Sequence, residues 1–139
     1  MKKILLIIAF MPLSLFSAPV EFWSCKFEDG YSMDDLNKWV VKWNKVIDGL
    51  DDQSYSAYIM TPGFSSNLGN VDFVWAGSWT SYATMGAGFE EYFGAGGKGL
   101  AIHSEFEKIT NCSSHTLVES RQVRDCLLYT SDAADEHTG

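Results

Sequence analysis

The sequence is short of positive charge. Its 139 residues include 10 Lys and Arg against 18 Asp and Glu, which gives a formal net charge of −8. Nucleic acids and anionic membrane surfaces both select patches of Lys and Arg. The charge balance therefore argues against both of these partners, and it is ordinary for an exported protein.

Common motifs of catalysis and metal binding are also missing. The chain has no Cys-x-x-Cys pair and no His-Glu-x-x-His motif. The glycine-rich segment 94–99 fails as a phosphate-binding loop, because Lys98 is followed by glycine and not by Ser or Thr. His103, Glu107 and His115 do not have the spacing of a metal site. We therefore predict no catalytic residue and no metal ligand.

Cysteine is scarce, with three residues in the chain. An even pair of cysteines in an exported protein is typical of a disulfide, so we predict a bridge between Cys25 and Cys112. Two free thiols or a metal pair are the alternatives. The third cysteine, Cys126, falls in a segment that we set apart.

The N-terminus lacks an apolar run long enough to cross a bilayer, which takes about 20 residues. Lys2 and Lys3 precede the apolar run 4–16, and small residues follow at Ser17 and Ala18. This order is typical of a secretory signal peptide, so residues 1–17 are predicted to be removed. The remaining chain is then periplasmic or secreted, without stable membrane insertion.

The C-terminal segment resembles the translation of a sequencing-library transposon end, over residues 126–136. We therefore predict that residues 126–139 are a non-native read-through tail, with a genuine acidic tail as the alternative. A single domain over residues 18–125 remains, which is long enough to bury one hydrophobic core.

The hydrophobic pattern of this domain predicts alternating strands and helices. Residues 21–27, 54–61, 71–79 and 115–123 alternate as strands. Ser32 and Asp35 form a capping box ahead of a strongly amphipathic helix that ends near Gly49. A second helix begins at Thr80 or Ser81 and is interrupted by the glycine-rich segment, and residues 100–109 form its second piece. Thr110–Ser113 is predicted to be a turn.

This order, βαββαβ, predicts an α+β domain of the ferredoxin-like, split βαβ type: a four-stranded antiparallel sheet with helices on one face. With its Trp-rich third strand and interrupted second helix, the chain resembles the dimeric α/β-barrel proteins, which include the antibiotic-biosynthesis-monooxygenase and NIPSNAP-like groups. It also resembles small exported proteins of marine bacteria. The resemblance implies a homodimer that covers the open sheet face, in agreement with a third strand that carries no run of charge on either side.

Heme-degrading members of that group use an Asn on the first strand, a Trp on a later strand and a His on the second helix. Trp75 or Trp79 matches the Trp and His103 matches the His, whereas the first strand here has no Asn. The resemblance thus implies a monooxygenase or heme-handling enzyme as the alternative function. Our first prediction is a non-catalytic module without a cofactor that binds a small apolar ligand.

Candidate ligand-binding residues come from four elements. One face of the last strand carries His115, Glu119 and Arg121. If Ser24 and Lys26 lie beside them, the open face of the sheet carries a polar strip that could orient a ligand. A solvated or interface-facing strand is the plainer interpretation. The full candidate set is Tyr58, Trp75, Trp79, His103, His115 and Arg121.

Overall fold

The computed structural model describes residues 17–63 and 71–121. Within them the chain forms four strands and three helices. In chain order these are β1 (Ser17–Phe27), α1 (Met33–Ile47), β2 (Ser56–Met60), β3 (Phe73–Ser78), α2 (Tyr82–Phe93), α3 (Leu100–Ile109) and β4 (Thr110–Arg121). The predicted read-through tail and, apart from Ser17, the predicted signal peptide lie outside the described residues.

The first helix follows directly from its sequence. Ser32 has extended backbone at the N-cap, and the Asp35 carboxylate accepts hydrogen bonds from its backbone N–H (3.1 Å) and its hydroxyl (2.9 Å). This arrangement is the predicted capping box, with Asp in the place of the usual Glu. Leu36, Trp39 and Trp43 are buried along one stripe, as their helical spacing predicts.

The second and third helices are separated by the glycine-rich segment. Ser81 caps α2, and its side chain accepts a hydrogen bond from the backbone N–H of Thr84 at 3.1 Å. Gly96 has a φ of 77°, a left-handed conformation that favours glycine. Gly94, Gly96 and Gly99 have the spacing of a dinucleotide-binding loop, but they follow a helix instead of the strand that such a loop requires.

All strand pairs are antiparallel, in the order β2-β3-β1-β4. The long β1 and the shorter β3 are therefore central, and the helices pack on one face of the sheet. This arrangement confirms the ferredoxin-like α+β fold. None of the described helices is long and apolar enough to cross a membrane.

The two faces of the sheet have different surroundings. Trp23 pairs with Trp75, and Cys25 pairs with Phe73, on the face that meets the helices. The opposite face, which we call the open face, is not covered by any described helix. It carries uncharged side chains across its centre, which are Val20, Phe22, Ser24, Ser56, Tyr58, Met60, Val74, Ala76, Ser78, Ser114, Thr116 and Val118.

The structure confirms the disulfide between Cys25 and Cys112. The predicted turn at Thr110–Ser113 is wrong, because β4 begins at Thr110 directly after α3. The register between β1 and β4 shifts after Ser24, where Ser24 pairs with Ser114 and Cys25 with Cys112. This β-bulge gives β4 one extra residue and turns the Cys112 side chain to the helix face, where Cys25 lies.

Candidate ligand-binding site

A cavity of about 80 Å³ lies between the sheet and the helices. Its wall is mostly aromatic and is contributed by both layers. The lining residues are Glu21, Trp23, Trp39, Trp43, Ile47, Leu50, Asp52, Tyr55, Trp75, Trp79, Gly88, Phe89, Tyr92, Phe93, His103 and Phe106.

All five tryptophans of the chain line this one cavity. Trp39 and Trp43, one turn apart on α1, are stacked with their ring centroids 5.9 Å apart. Trp75 on β3 stands nearly perpendicular to Trp43, at 5.0 Å. These edge-to-face and offset contacts are the favoured geometries of aromatic pairs, so the rings form a rigid wall as well as a core.

The carboxylate of Glu21 lies at the floor of the cavity, and the residue is only 4% exposed. Its Oε1 accepts a hydrogen bond from the Tyr55 hydroxyl, and its Oε2 accepts one from Trp23 Nε1, both at 2.8 Å. His115 Nε2 also lies 2.8 Å from Oε2. Burial of a carboxylate costs much free energy unless hydrogen bonds replace its hydration, and these three partners supply them.

Tyr55 connects Glu21 to the tryptophan wall. Its hydroxyl donates to Glu21 and accepts a hydrogen bond from Trp75 Nε1 at 2.9 Å. Burial, together with the negative charge of Glu21, raises the pKa of Tyr55 well above its usual value. The Tyr55 ring occupies the space that a Cβ at position 77 would need, so Gly77 is required for this placement.

His103 lies at the rim, surrounded by aromatic rings. Its ring centroid is 4.9 Å from that of Phe93 and 6.2 Å from that of Trp23. Burial lowers the pKa of His103, and the Glu107 carboxylate, 3.8 Å from its Nε2, only partly opposes this effect. The imidazole is therefore neutral at neutral pH. Burial also raises the pKa of Tyr92, another lining residue, to about 12.

The predicted ligand-binding residues fall into separate groups. Trp75, Trp79 and His103 line the cavity. His115 lies behind the wall, where its ring stacks on Trp23 at 4.1 Å. Tyr58 is on the open face and 66% exposed, and Arg121 is exposed and pairs with Ser17 at the end of β4. Neither Tyr58 nor Arg121 reaches the cavity.

The predicted polar strip of the open face does not form. His115 pairs with Trp23 and so belongs to the helix face, whereas Ser24 pairs with Ser114 on the open face. His115 therefore contacts Glu21 instead of Ser24. The pairing of β4 with β1 decides this placement, because side chains of directly paired residues lie on the same side of a sheet.

Sequence reasoning missed Glu21 and Tyr55. A glutamate between Val20 and Phe22 at the start of a strand is usually assigned to the solvent side. The only signal was its position in the alternating pattern of the strand. Glu21 is an even number of residues from Trp23, Cys25 and Phe27, so its side chain lies on their apolar face. A charged residue in phase with an apolar strand face is a candidate buried functional group.

No protein-family model and no curated protein sequence matches the chain. In fold it is similar to a hypothetical protein of Arabidopsis thaliana, with a TM-score of 0.51 and 9% identity over 80% of this chain and 99% of that one. It is also similar to a dimeric ferredoxin-like protein of unknown function from Thermobifida fusca YX. There the TM-score is 0.49 and the identity 11%, over 76% of this chain and 92% of that one. Identities this low show the fold alone.

The cavity is small compared with typical cofactor pockets. Cofactor pockets typically have volumes of about 300–1,000 Å³, whereas this cavity has about 80 Å³. The β1 residue that lines it is a glutamate, and not the asparagine expected from the resemblance to heme-degrading proteins. Among residues 17–63 and 71–121, no group of three His, Cys, Asp or Glu side chains is arranged to hold a metal ion.

Proposed function

We propose that this protein is a non-catalytic exported module that binds a small apolar group in the cavity between its sheet and its helices. One observation carries the proposal: all five tryptophans, from β1, α1 and the β3 region, line the same space. Aromatic side chains provide large apolar contact areas, and the few polar groups of a site fix the orientation of its ligand. Glu21, Asp52 and His103 are those groups here.

The size of the cavity limits the ligand. A single water needs about 10–15 Å³, and an engineered apolar cavity of about 150 Å³ binds benzene. At about 80 Å³, this cavity holds a group of a few heavy atoms. The bound molecule is therefore small, or it places only one end inside while the rest extends past the rim at His103 and Phe93.

We also propose that two copies pair through their open faces. That face is uncharged across its centre, and Tyr58, Met60 and Val118 are 66%, 43% and 39% exposed on it. A sheet face of this kind is normally covered in the functional state. A second copy of the chain presents the same uncharged surface. Two copies related by a two-fold axis would cover each other's open face and leave neither one exposed.

Export is the part of the proposal that the disulfide supports. Bridges such as that between Cys25 and Cys112 persist in the periplasm and outside the cell, and they are rare in the reducing cytosol. A periplasmic or secreted location also agrees with the signal-peptide pattern of residues 1–17.

Two glycines of α2 provide a matched test of the cavity. Gly88 lines the cavity, with Trp79 Nε1 3.5 Å from the position of an added Cβ, whereas nothing lies within 4 Å of that position at Gly86. Gly88→Leu is expected to fill the cavity and weaken binding of toluene or cyclohexanol, each of which would place one end inside, at least about tenfold, the loss of about 1.4 kcal/mol. The measurement is titration by isothermal calorimetry, supported by ligand-dependent thermal unfolding.

Gly86→Leu is the control, because it makes the same change on the same helix outside the cavity. Its binding should equal that of the wild type. Equal binding by both variants would place the ligand elsewhere and refute the proposal. A hemin titration separates the alternative function: we expect no change of the Soret band, and a shift that His103→Ala abolishes would favour a heme-handling enzyme instead.

A further inference from the structure

We propose that the group taken by the cavity is a small organic cation, an amine or methylated ammonium, with Glu21 as its charge partner. This inference rests on the proposed binding function and names the chemical class of the ligand. It comes from three features of the lining: the sign of its charged groups, the open acceptor position on Glu21, and the aromatic wall.

The charged groups that line the cavity have one sign. Glu21 and Asp52 are the acids among the lining residues, and no Lys or Arg is among them. The remaining titratable group with basic character is His103, whose pKa is lowered by burial. A carboxylate or phosphate ligand would therefore meet repulsion without a compensating cation, whereas an ammonium group would meet attraction.

Glu21 has an acceptor position left over. An ionised carboxylate has about four lone-pair sites. Among the described residues, Oε2 has two partners, Trp23 and His115, whereas Oε1 has only the Tyr55 hydroxyl. The N–H of a protonated amine directed at Oε1 would complete the set with a charge-assisted hydrogen bond, which is about twice as strong as a neutral one. A quaternary ammonium, which has no N–H, would interact with this carboxylate through its charge alone.

The aromatic wall selects a cation over a neutral group of the same shape. A cation held against a tryptophan face is attracted by the electrons of the ring, and the attraction is stronger when the cation is removed from water. A neutral alkyl group in the same place gains only the burial of its surface. Trimethylammonium also suits a cavity of about 80 Å³, since it adds only three methyl groups to its nitrogen.

A neutral hydrogen-bond donor such as a phenol is the competing ligand class. It would use Oε1 equally well, but it would bring no positive charge to the Glu21 carboxylate. The observed combination of a buried carboxylate, a second acid and five tryptophans therefore favours the cation.

Choline and its neutral tert-butyl analogue form a matched pair of probes, because they differ only in the replacement of N⁺ by carbon. We expect the wild-type protein to bind choline at least about tenfold more tightly, the ratio that a desolvated cation–π contact and a buried carboxylate provide. The measurement is isothermal calorimetry with each probe at the same ionic strength.

Glu21→Gln keeps the size of the side chain and removes its charge, so it should abolish most of the preference for choline. Glu119→Gln, an exposed change on β4 outside the cavity, should leave the preference unchanged. If Glu21→Gln does not fold, Asp52→Asn serves in its place, because the asparagine retains the side-chain oxygen that accepts from the Ser54 backbone N–H at 2.7 Å. It should lower the preference several-fold.

Each outcome has a defined meaning. A preference for choline that depends on Glu21 or Asp52 supports the inference. The inference is overturned if the two probes bind equally, if the neutral probe binds more tightly, or if toluene binds and neither probe does. In each of these cases the proposed cavity function would still stand. If toluene, choline and the neutral analogue all fail to bind, the proposed function falls as well.

Discussion

Replacing Cys25 and Cys112 by serine is expected to lower the free energy of unfolding by about 4–5 kcal/mol, since the bridge closes a long loop in the unfolded chain. The two cysteines are 87 positions apart in the sequence. For a single domain with a typical stability of about 5–15 kcal/mol, this loss removes much or all of the stability. The measurement is urea denaturation followed by tryptophan fluorescence.

Both proteins are best compared in a background in which Cys126 is also serine, so that no free thiol exchanges with the bridge. Reduction of the bridged protein by dithiothreitol should reproduce the loss seen in the double variant. The bridge also joins the central strand β1 to the edge strand β4, which carries His115. A double variant as stable as the bridged protein would show that strand pairing alone holds β4 in place.

Replacing Tyr58 by aspartate is expected to convert the proposed dimer into a monomer. The change puts a negative charge on the uncharged open face, and in the dimer this charge would be buried without a partner. Loss of a large aromatic anchor from an interface can cost about 2 kcal/mol or more, so dimerisation should weaken at least about thirtyfold. Light scattering coupled to size-exclusion chromatography measures the change.

Tyr82→Asp is the matched control for this variant. Tyr82 is 47% exposed, but it lies on α2, on the other side of the sheet. This variant should remain dimeric and as stable as the wild type. A wild-type protein that is monomeric at all concentrations would contradict the proposed pairing, and so would dimerisation that survives Tyr58→Asp.

The helices were the most predictable part of the fold. The cap at Ser32 and the spacing of Leu36, Trp39 and Trp43 are local signals, and α1 has the predicted course. Residues 100–109 were predicted as a helix with the bounds that α3 has. A helix is specified by residues within one or two turns of each other, so its signal survives in the bare sequence.

The faces of the last strand were not predictable in the same way. Alternation alone places Cys112 in phase with Thr116, which pairs with Phe22 on the open face. The disulfide forms because the bulge brings Cys112 back to the side of Cys25. A one-residue shift of register exchanges the two faces of a strand, and nothing in the local pattern reveals where the shift occurs.

The face of the tryptophans was likewise decided by the packing. Trp75 contacts Trp39, Trp43 and Phe106, so it points toward the helices and away from the open face. A cavity between two subunits would therefore lack this ring. The cavity lies between the sheet and the helices of a single chain, and the open face is left for the proposed pairing.

The sequence by itself determined the order of the elements, the ferredoxin-like fold and the pairing of two cysteines, because periodicity, caps and composition are local or compositional properties. Only the tertiary structure brought Glu21 to Tyr55 and His115, which lie 34 and 94 positions away, and gathered five tryptophans around one cavity. Contacts over such distances depend on strand register and on how the layers pack. Those are global properties that no stretch of the chain encodes alone.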